Sequence, residues 1–313
     1  MLQYVARRLT FAAFLVFAVS SASLVLARLA PGDYVTASLG IDARRETVEQ
    51  ARERYGLNRS IGEQYRAWLV QIAHLDFGRS LLYDQPVRDL LPTRAVNTAI
   101  LAATALLLAT IVGLPLGIVS GSRRTGPIRS VIRVVSIVVL SMPPLLTSLF
   151  LVFVAARTGW LPVGGMTSGA GGDDLLRHLV VPAAALALPV AALFERLQAQ
   201  AMSEVVGQPY VLATIARGVP RIRVVWRDAL KGALRPVAAV YGLVIGTLLS
   251  GSFAVETITA WPGLGRLMLD ALRARDVYLI AGCAATGSLF LAIGTLISDA
   301  ALALVDPRAR EQA

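Results

Sequence analysis

TAILAATALLLATIVGLPLGIV, from Thr98 to Val119, runs for 22 residues without an ionisable side chain. A helix needs about 20 such residues to cross a hydrocarbon layer roughly 30 Å thick, so this stretch predicts a membrane-spanning helix. Five further apolar blocks flank it: Leu9 to Leu29, Val131 to Ala155, Leu179 to Leu197, Val237 to Val255 and Leu279 to Leu304. The 313-residue chain is 56% hydrophobic and 16% charged, with a mean hydropathy of +0.64. Soluble domains run at about 45–50% apolar and about 25% charged. Because the surplus is gathered in span-length blocks, the expected fold class is an all-α integral membrane protein with six transmembrane helices. The first block follows Arg7 and Arg8. It is longer than the roughly 7–15-residue apolar core of a signal peptide and reads as a retained anchor.

The net charge of +10 resides largely in arginines at the ends of these blocks. That placement, with no polar, aromatic-interleaved domain, excludes a nucleic-acid binder and points to membrane lipid as the surrounding partner. Arg7 and Arg8 precede the first block, Arg123, Arg124 and Arg129 join the second to the third, and Arg308 and Arg310 follow the sixth. Arginine-rich short segments stay cytoplasmic, so both termini are expected on that side of a bacterial or archaeal cell membrane. Residues 1–29 then form the N-terminus and first span, residues 30–96 an external subdomain, and residues 97–310 a five-span core. Within the external segment, Leu57, Ile61, Tyr65, Trp68, Leu69 and Ile72 recur at helical spacing. Their apolar face suits either a lid or a platform for a partner.

Several chemistries are missing. Lys231, the single lysine, is followed by Gly232, so no phosphate loop ending in Gly-Lys-Ser/Thr exists. His74 and His178 have no cysteine or histidine cluster around them, and Cys283 has no second cysteine to pair with. No metal site and no enzyme activity are expected. Ionisable residues inside spans are functional candidates by default. Glu195 and Arg196 near the end of the fourth block either line a translocation path or reach to the interface, and Asp299 in the sixth either pairs with an arginine or meets a solute. The lack of carboxylates at span centres weighs against a stand-alone ion-coupled transporter. An intramembrane enzyme would need a facing nucleophile and base.

The segment of about 204–236 joins the fourth and fifth blocks and carries Arg217, Arg221, Arg223, Arg227, Lys231 and Arg235. Tyr210 to Arg217 predicts a short helix, Gly218 a left-handed cap, and Pro220 the start of a second helix. In that second helix the basic residues recur every four positions, and Ile222, Trp226, Ala229, Leu230 and Ala233 are the expected apolar side.

This hairpin resembles the EAA loop of binding-protein-dependent ABC importer permeases. The chain as a whole is similar to the branch of that family serving dipeptides, oligopeptides, nickel and glutathione. The resemblance is carried by LARLAPGD (Leu26 to Asp33), YGLNRSIGEQY (Tyr55 to Tyr65), DFGRSL (Asp76 to Leu81) and GWLPVGG (Gly159 to Gly165). It continues through GQPYVLATIARG (Gly207 to Gly218), VETITAWPGLGRLMLDA (Val255 to Ala271), RDVYLIAG (Arg275 to Gly282) and DPRAR (Asp306 to Arg310). It implies a six-span type I importer permease that forms half of a pathway for short peptides or a similar hydrophilic solute. It also implies a homologous second permease, two ATPase subunits that carry the ATP and magnesium, and an external substrate-binding protein. No cofactor is implied in this chain. The family's ATPase-contacting loop maps onto Tyr210, Ala213, Arg217, Gly218, Val219, Pro220, Arg221 and Arg223. Leu212, Ala213 and Thr214 stand where the family's Glu-Ala-Ala occurs, and Arg235 precedes Pro236 where an apolar residue is usual.

Overall fold

The computed structural model describes residues 2–39, 45–74, 76–123, 125–166 and 172–305. The described residues are mainly helical. In chain order they form α1 (Leu2–Leu29), α2 (Tyr34–Leu39), α3 (Arg45–Arg54), α4 (Ile61–Ala73), α5 (Val87–Ser122), α6 (Pro127–Ser141), α7 (Pro144–Thr158) and α8 (Gly172–Val206). After these come α9 (Pro209–Ala216), α10 (Arg221–Arg223), a π-helical stretch (Val224–Ala229), α11 (Leu230–Ala233), α12 (Arg235–Gly251), α13 (Phe253–Ile258), α14 (Leu264–Ala274) and α15 (Val277–Val305).

Among the described residues, five helical segments are long and apolar enough to cross a membrane: Ala6–Leu29, Val87–Ser122, Asp174–Val206, Arg235–Ile258 and Val277–Ile297. The third expected span, Val131 to Ala155, is not one straight helix. It is the pair α6 and α7, bent by 104°, which makes a sixth span if the two halves cross together. The cause is local. Met142 is extended at φ −92°, ψ 117°, and Pro143 at φ −59°, ψ 145°, because each precedes a proline whose ring excludes the helical conformation. Pro144 then opens α7, where its missing N–H costs no hydrogen bond. The separated Pro182 and Pro189 leave α8 continuous, as isolated prolines in apolar helices often do.

The chain packs as two compact units. The first comprises Met1–Ala99 and Pro262–Ala292. In it, the Ser60 side chain accepts from the Glu63 N–H while the Glu63 carboxylate accepts from the Ser60 N–H, a capping box that starts α4. The expected apolar face of α4 is there: Trp68 is fully buried beside Leu24 and Ala281, with Tyr65, Leu69 and Ile72 packed around it. Ile61, at the helix start, remains exposed. The buried Asp276 ties the DFGRSL segment to the start of α15. Its carboxylate accepts from Ser80 Oγ at 2.6 Å, from Leu82 N at 3.1 Å and from Leu279 N at 3.1 Å. Asn97 Nδ2 donates to the Pro262 carbonyl at 2.8 Å, and Thr98 Oγ1 accepts from Leu264 N at 2.8 Å, which anchors the WPGLGR turn to α5.

The second unit comprises Ile100–Trp261 and Ile293–Ala313. Its core joins Leu101, Ala105 and Ala109 to Ala183, Leu186 and Phe194, with Phe194 stacked on Tyr241 at 5.4 Å between ring centroids. A Cβ at Gly117 would lie 2.6 Å from Gln198 Cβ and 2.7 Å from the Glu195 carbonyl, so α5 and α8 touch almost backbone to backbone. Gly164 and Gly165 fit against Thr259, whose carbonyl accepts from Gly165 N at 3.0 Å. DPRAR lies outside the described residues.

Candidate functional site

The hairpin forms as local sequence chemistry dictates. Pro209 sits in the first turn of α9, which ends at Arg217. Gly218 then takes φ +83°, a left-handed conformation that glycine adopts without steric cost. Pro220 caps the second arm at φ −54°, one residue before its first helical position. Arg217, Gly218, Pro220, Arg221 and Arg223 are exposed, as are Tyr210 and Ala213. Val219 turns inward onto an apolar floor made by Ile118, Met202, Val206 and Val211. Arg221 bridges back to the end of α5, donating to the Ser122 carbonyl at 2.9 Å.

The second arm departs from its expected face. Ile222 and Trp226, predicted on the apolar side, are 72% and 48% exposed. Ala229 and Ala233 are buried as expected, and Val224 and Val225 are buried with them in place of Ile222 and Trp226. Val224–Ala229 is π-helical, and its i→i+5 bonds wind the chain more loosely than an α-helix, so positions 224 and 229 stack on one face. The expectation assumed the α-helical period throughout. As a result Leu212, Ile215, Ile222 and Trp226 ring an open cavity of about 740 Å³ whose floor includes Val119 and Val206. An apolar rim among exposed arginines is a surface suited to a protein partner.

Glu195 and Arg196, adjacent on α8, separate. Arg196 is exposed. Glu195 is buried and accepts from Ser120 Oγ at 2.6 Å. Both border a cavity of about 280 Å³ that also takes Arg129, Arg133 and Ser136. Gln198, one turn on, is fully buried with neither amide atom hydrogen-bonded. Sequence reasoning passed over Gln198 and Ser120. The signal available was Gly113, Gly117 and Gly121, three small residues spaced four apart that bring α5 onto α8. Asp299 belongs to α15 by backbone, and its side chain lies outside the described residues. Among the described residues no cluster of three or more His, Cys, Asp or Glu side chains suits a metal ion.

Residues 113–311 match the family described as "Binding-protein-dependent transport system inner membrane component", and residues 1–88 match its N-terminal companion, "Binding-prot-dependent transport system membrane comp, N-term". The oligopeptide transport system permease protein AppB of Bacillus subtilis is 32% identical, over 98% of this chain and 99% of that protein. A putative peptide permease of Brucella suis is 33% identical, over 98% and 99%, and the glutathione transport system permease protein GsiC of Shigella flexneri is 30% identical, over 99% of both. A chain of the MetNI methionine ABC transporter in an inward-facing crystal form superposes with a TM-score of 0.52 at 16% identity, covering 69% of this chain and 96% of that one, and shares its fold. With family models matching both ends of the sequence and relatives aligned from end to end, the chain belongs to the binding-protein-dependent transport system inner membrane components, the multi-pass permease subunits of ABC importers.

Proposed function

We propose that this chain is one half of a heterodimeric pathway for importing short peptides. A homologous second permease supplies the other half, two ATPase subunits hold the ATP and magnesium, and an external binding protein delivers the solute. Both termini and the hairpin of about 204–236 face the cytoplasm, and residues 30–96 face outward. Tyr210 to Arg223 meets the ATPase. Glu195, Arg196 and the backbone position of Asp299 belong to the solute path or its inner mouth.

The observation that carries this reading is the hairpin surface. One side is seated on a buried apolar floor, whereas Tyr210, Leu212, Ile215, Ile222 and Trp226 stand exposed around the rim. An isolated chain gains nothing from that exposure, and a partner that covers it does. Peptide as the solute is supported by the names of the relatives from Bacillus and Brucella, and glutathione is a second reading supported by the relative from Shigella.

The test is uptake of labelled short peptides and of labelled glutathione by cells that lack their own importers for them and express this chain with its partner subunits. Saturable, ATP-dependent peptide uptake is the expected result, and uptake of glutathione alone would move the assignment to the second reading. Transport by the purified chain alone in liposomes would overturn the ATPase-driven mechanism. Reporters fused after Arg124 or Arg223 and within Arg44 to Arg66 are expected to read cytoplasmic and external respectively, and the reverse pattern would overturn the orientation.

A further inference from the structure

The first unit holds a cleft of about 280 Å³ where the end of α1, the α2 and α3 region, the start of α4 and the turn before α15 converge. Among the described residues, four guanidinium groups line it, Arg28, Arg52, Arg59 and Arg275, against one carboxylate, that of Asp33. That carboxylate is committed to Arg52 Nε at 2.7 Å and to the Thr36 N–H at 2.9 Å. Among the described lining residues the other three guanidinium groups have no carboxylate of their own, although the charge of Asp276 behind the cleft also acts on Arg28. Arg275 is held in a left-handed conformation at φ +57°, costly for a residue with a side chain, and its guanidinium packs over Gly32 with only a long 3.4 Å contact to that carbonyl.

Two residues that line this cleft each carry a buried atom with no hydrogen-bond partner. Arg28 Nε is a donor, although the same guanidinium also hydrogen-bonds Tyr278. Gln64 Oε1 is an acceptor on a side chain 92% buried by its residual exposure of 8%. The amide of Gln64 is oriented by its own nitrogen, which donates to the Arg59 carbonyl at 2.7 Å and reaches the Leu57 carbonyl at 3.5 Å, so the oxygen is the end left over. A buried polar atom without a partner costs about 1–3 kcal/mol, so a pair of complementary ones in one charged cleft specifies a ligand. The ligand must bring negative charge and an acceptor for Arg28, together with an O–H or N–H for Gln64.

We propose that this cleft binds a phosphate group that carries a neighbouring hydroxyl or amine, as a phospholipid headgroup does. Arg28 lies one residue from the end of the candidate span Ala6–Leu29, which puts the guanidinium cluster at headgroup depth. Guanidinium forks match phosphate oxygens in pairs, and the glycerol hydroxyls of phosphatidylglycerol supply the donor that Gln64 Oε1 requires. The same chemistry is available from a free phosphate ester. Which leaflet supplies the lipid rests on the importer orientation proposed above, whereas binding itself does not.

The test uses the full chain, purified in detergent and stripped of lipid, with retention of phosphatidylglycerol and of diacylglycerol measured by native mass spectrometry. Phosphatidylglycerol is expected to bind at least about tenfold more tightly than diacylglycerol. Arg59→Gln, at an exposed position, should weaken it several-fold with no change in melting temperature, and Arg28→Gln and Gln64→Leu should weaken it further. If soluble glycerophosphate displaces the lipid, the cleft is a site for free phosphate esters. If it does not, the headgroup in its membrane is the ligand. Equal retention of the two lipids, or unchanged binding in Arg59→Gln and Gln64→Leu variants that melt normally, would overturn the proposal. Because binding is read on this chain alone, a failed transport assay and a failed binding assay remain distinguishable.

Discussion

Asp276 and Gly218 both lie in stretches that carry the family resemblance, yet they act in opposite ways. At Asp276 the polar contacts are internal: the buried carboxylate collects a serine hydroxyl and two backbone N–H groups from segments almost 200 positions apart in the chain. Around Gly218 the turn is exposed, its φ is +83°, and neighbouring apolar side chains are left at the surface. A motif residue of the first kind satisfies backbone groups that would otherwise be buried without partners. One of the second kind shapes a surface. Similarity of sequence alone does not separate the two roles, but mutation should.

The largest effect is expected at the inward-facing site. Asp276→Ala removes the acceptor for three donors, two of them buried, and should destabilise the chain by on the order of 3 kcal/mol, seen as low membrane abundance and an early detergent melt. Asp276→Asn, which keeps one acceptor oxygen, should fall between. If Asp276→Ala accumulated and melted like the parent, the contrast between the two regions would collapse.

Gly218→Val comes next. A β-branched residue in the left-handed region costs roughly 1–2 kcal/mol, confined to a turn with no atom within 4 Å of a new Cβ. Membrane abundance should stay normal while association with ATPase subunits, or solute-stimulated ATP hydrolysis in the assembled complex, is lost. Gly218→Ala should be milder. Normal coupling in Gly218→Val would remove the hairpin from the proposed contact.

Smaller still in stability, and sharper as a test of surface function, is the double change Ile222→Ser with Trp226→Ser. Ile222 is largely exposed and Trp226 about half so, and unfolding should shift by about 1 kcal/mol or less. Co-purification of the ATPase should nonetheless drop. Conversely, Val224→Ser, on the buried π-helical face, should lower the melting temperature.

The smallest effect concerns pH. Burial tends to raise the pKa of Asp33, but the Thr36 N–H and the Arg52 guanidinium outweigh it and hold the carboxyl below its ordinary value of 3.8. A depressed carboxylate stabilises the fold above the unfolded-state pKa, and that stability disappears as pH falls through the folded-state value. Melting in acid should therefore lose a small increment below about pH 4 that an Asp33→Asn variant lacks at every pH. An identical pH profile in that variant would show that the Asp33 and Arg52 pair contributes nothing, as many exposed ion pairs do.

The sequence by itself determined the properties that short segments settle alone. Span-length apolar blocks need no neighbour to favour a membrane, and a Gly-Val-Pro turn between two short helices needs no neighbour to bend, so both appear where the sequence places them. The break between α6 and α7 was also written locally, in Pro143 and Pro144, but an average over apolar character hides it. What only the tertiary structure decided was partnership across the chain: Ser120 with Glu195, Ser80 with Asp276, and four arginines from separate segments around one cleft. It also decided which face of the second hairpin arm is buried, because a π-helical turn shifts the face by its own winding and is held there by the floor beneath it. The physical reason is that periodicity reports a repeat of apolar residues along one helix, whereas burial depends on what another helix brings against it.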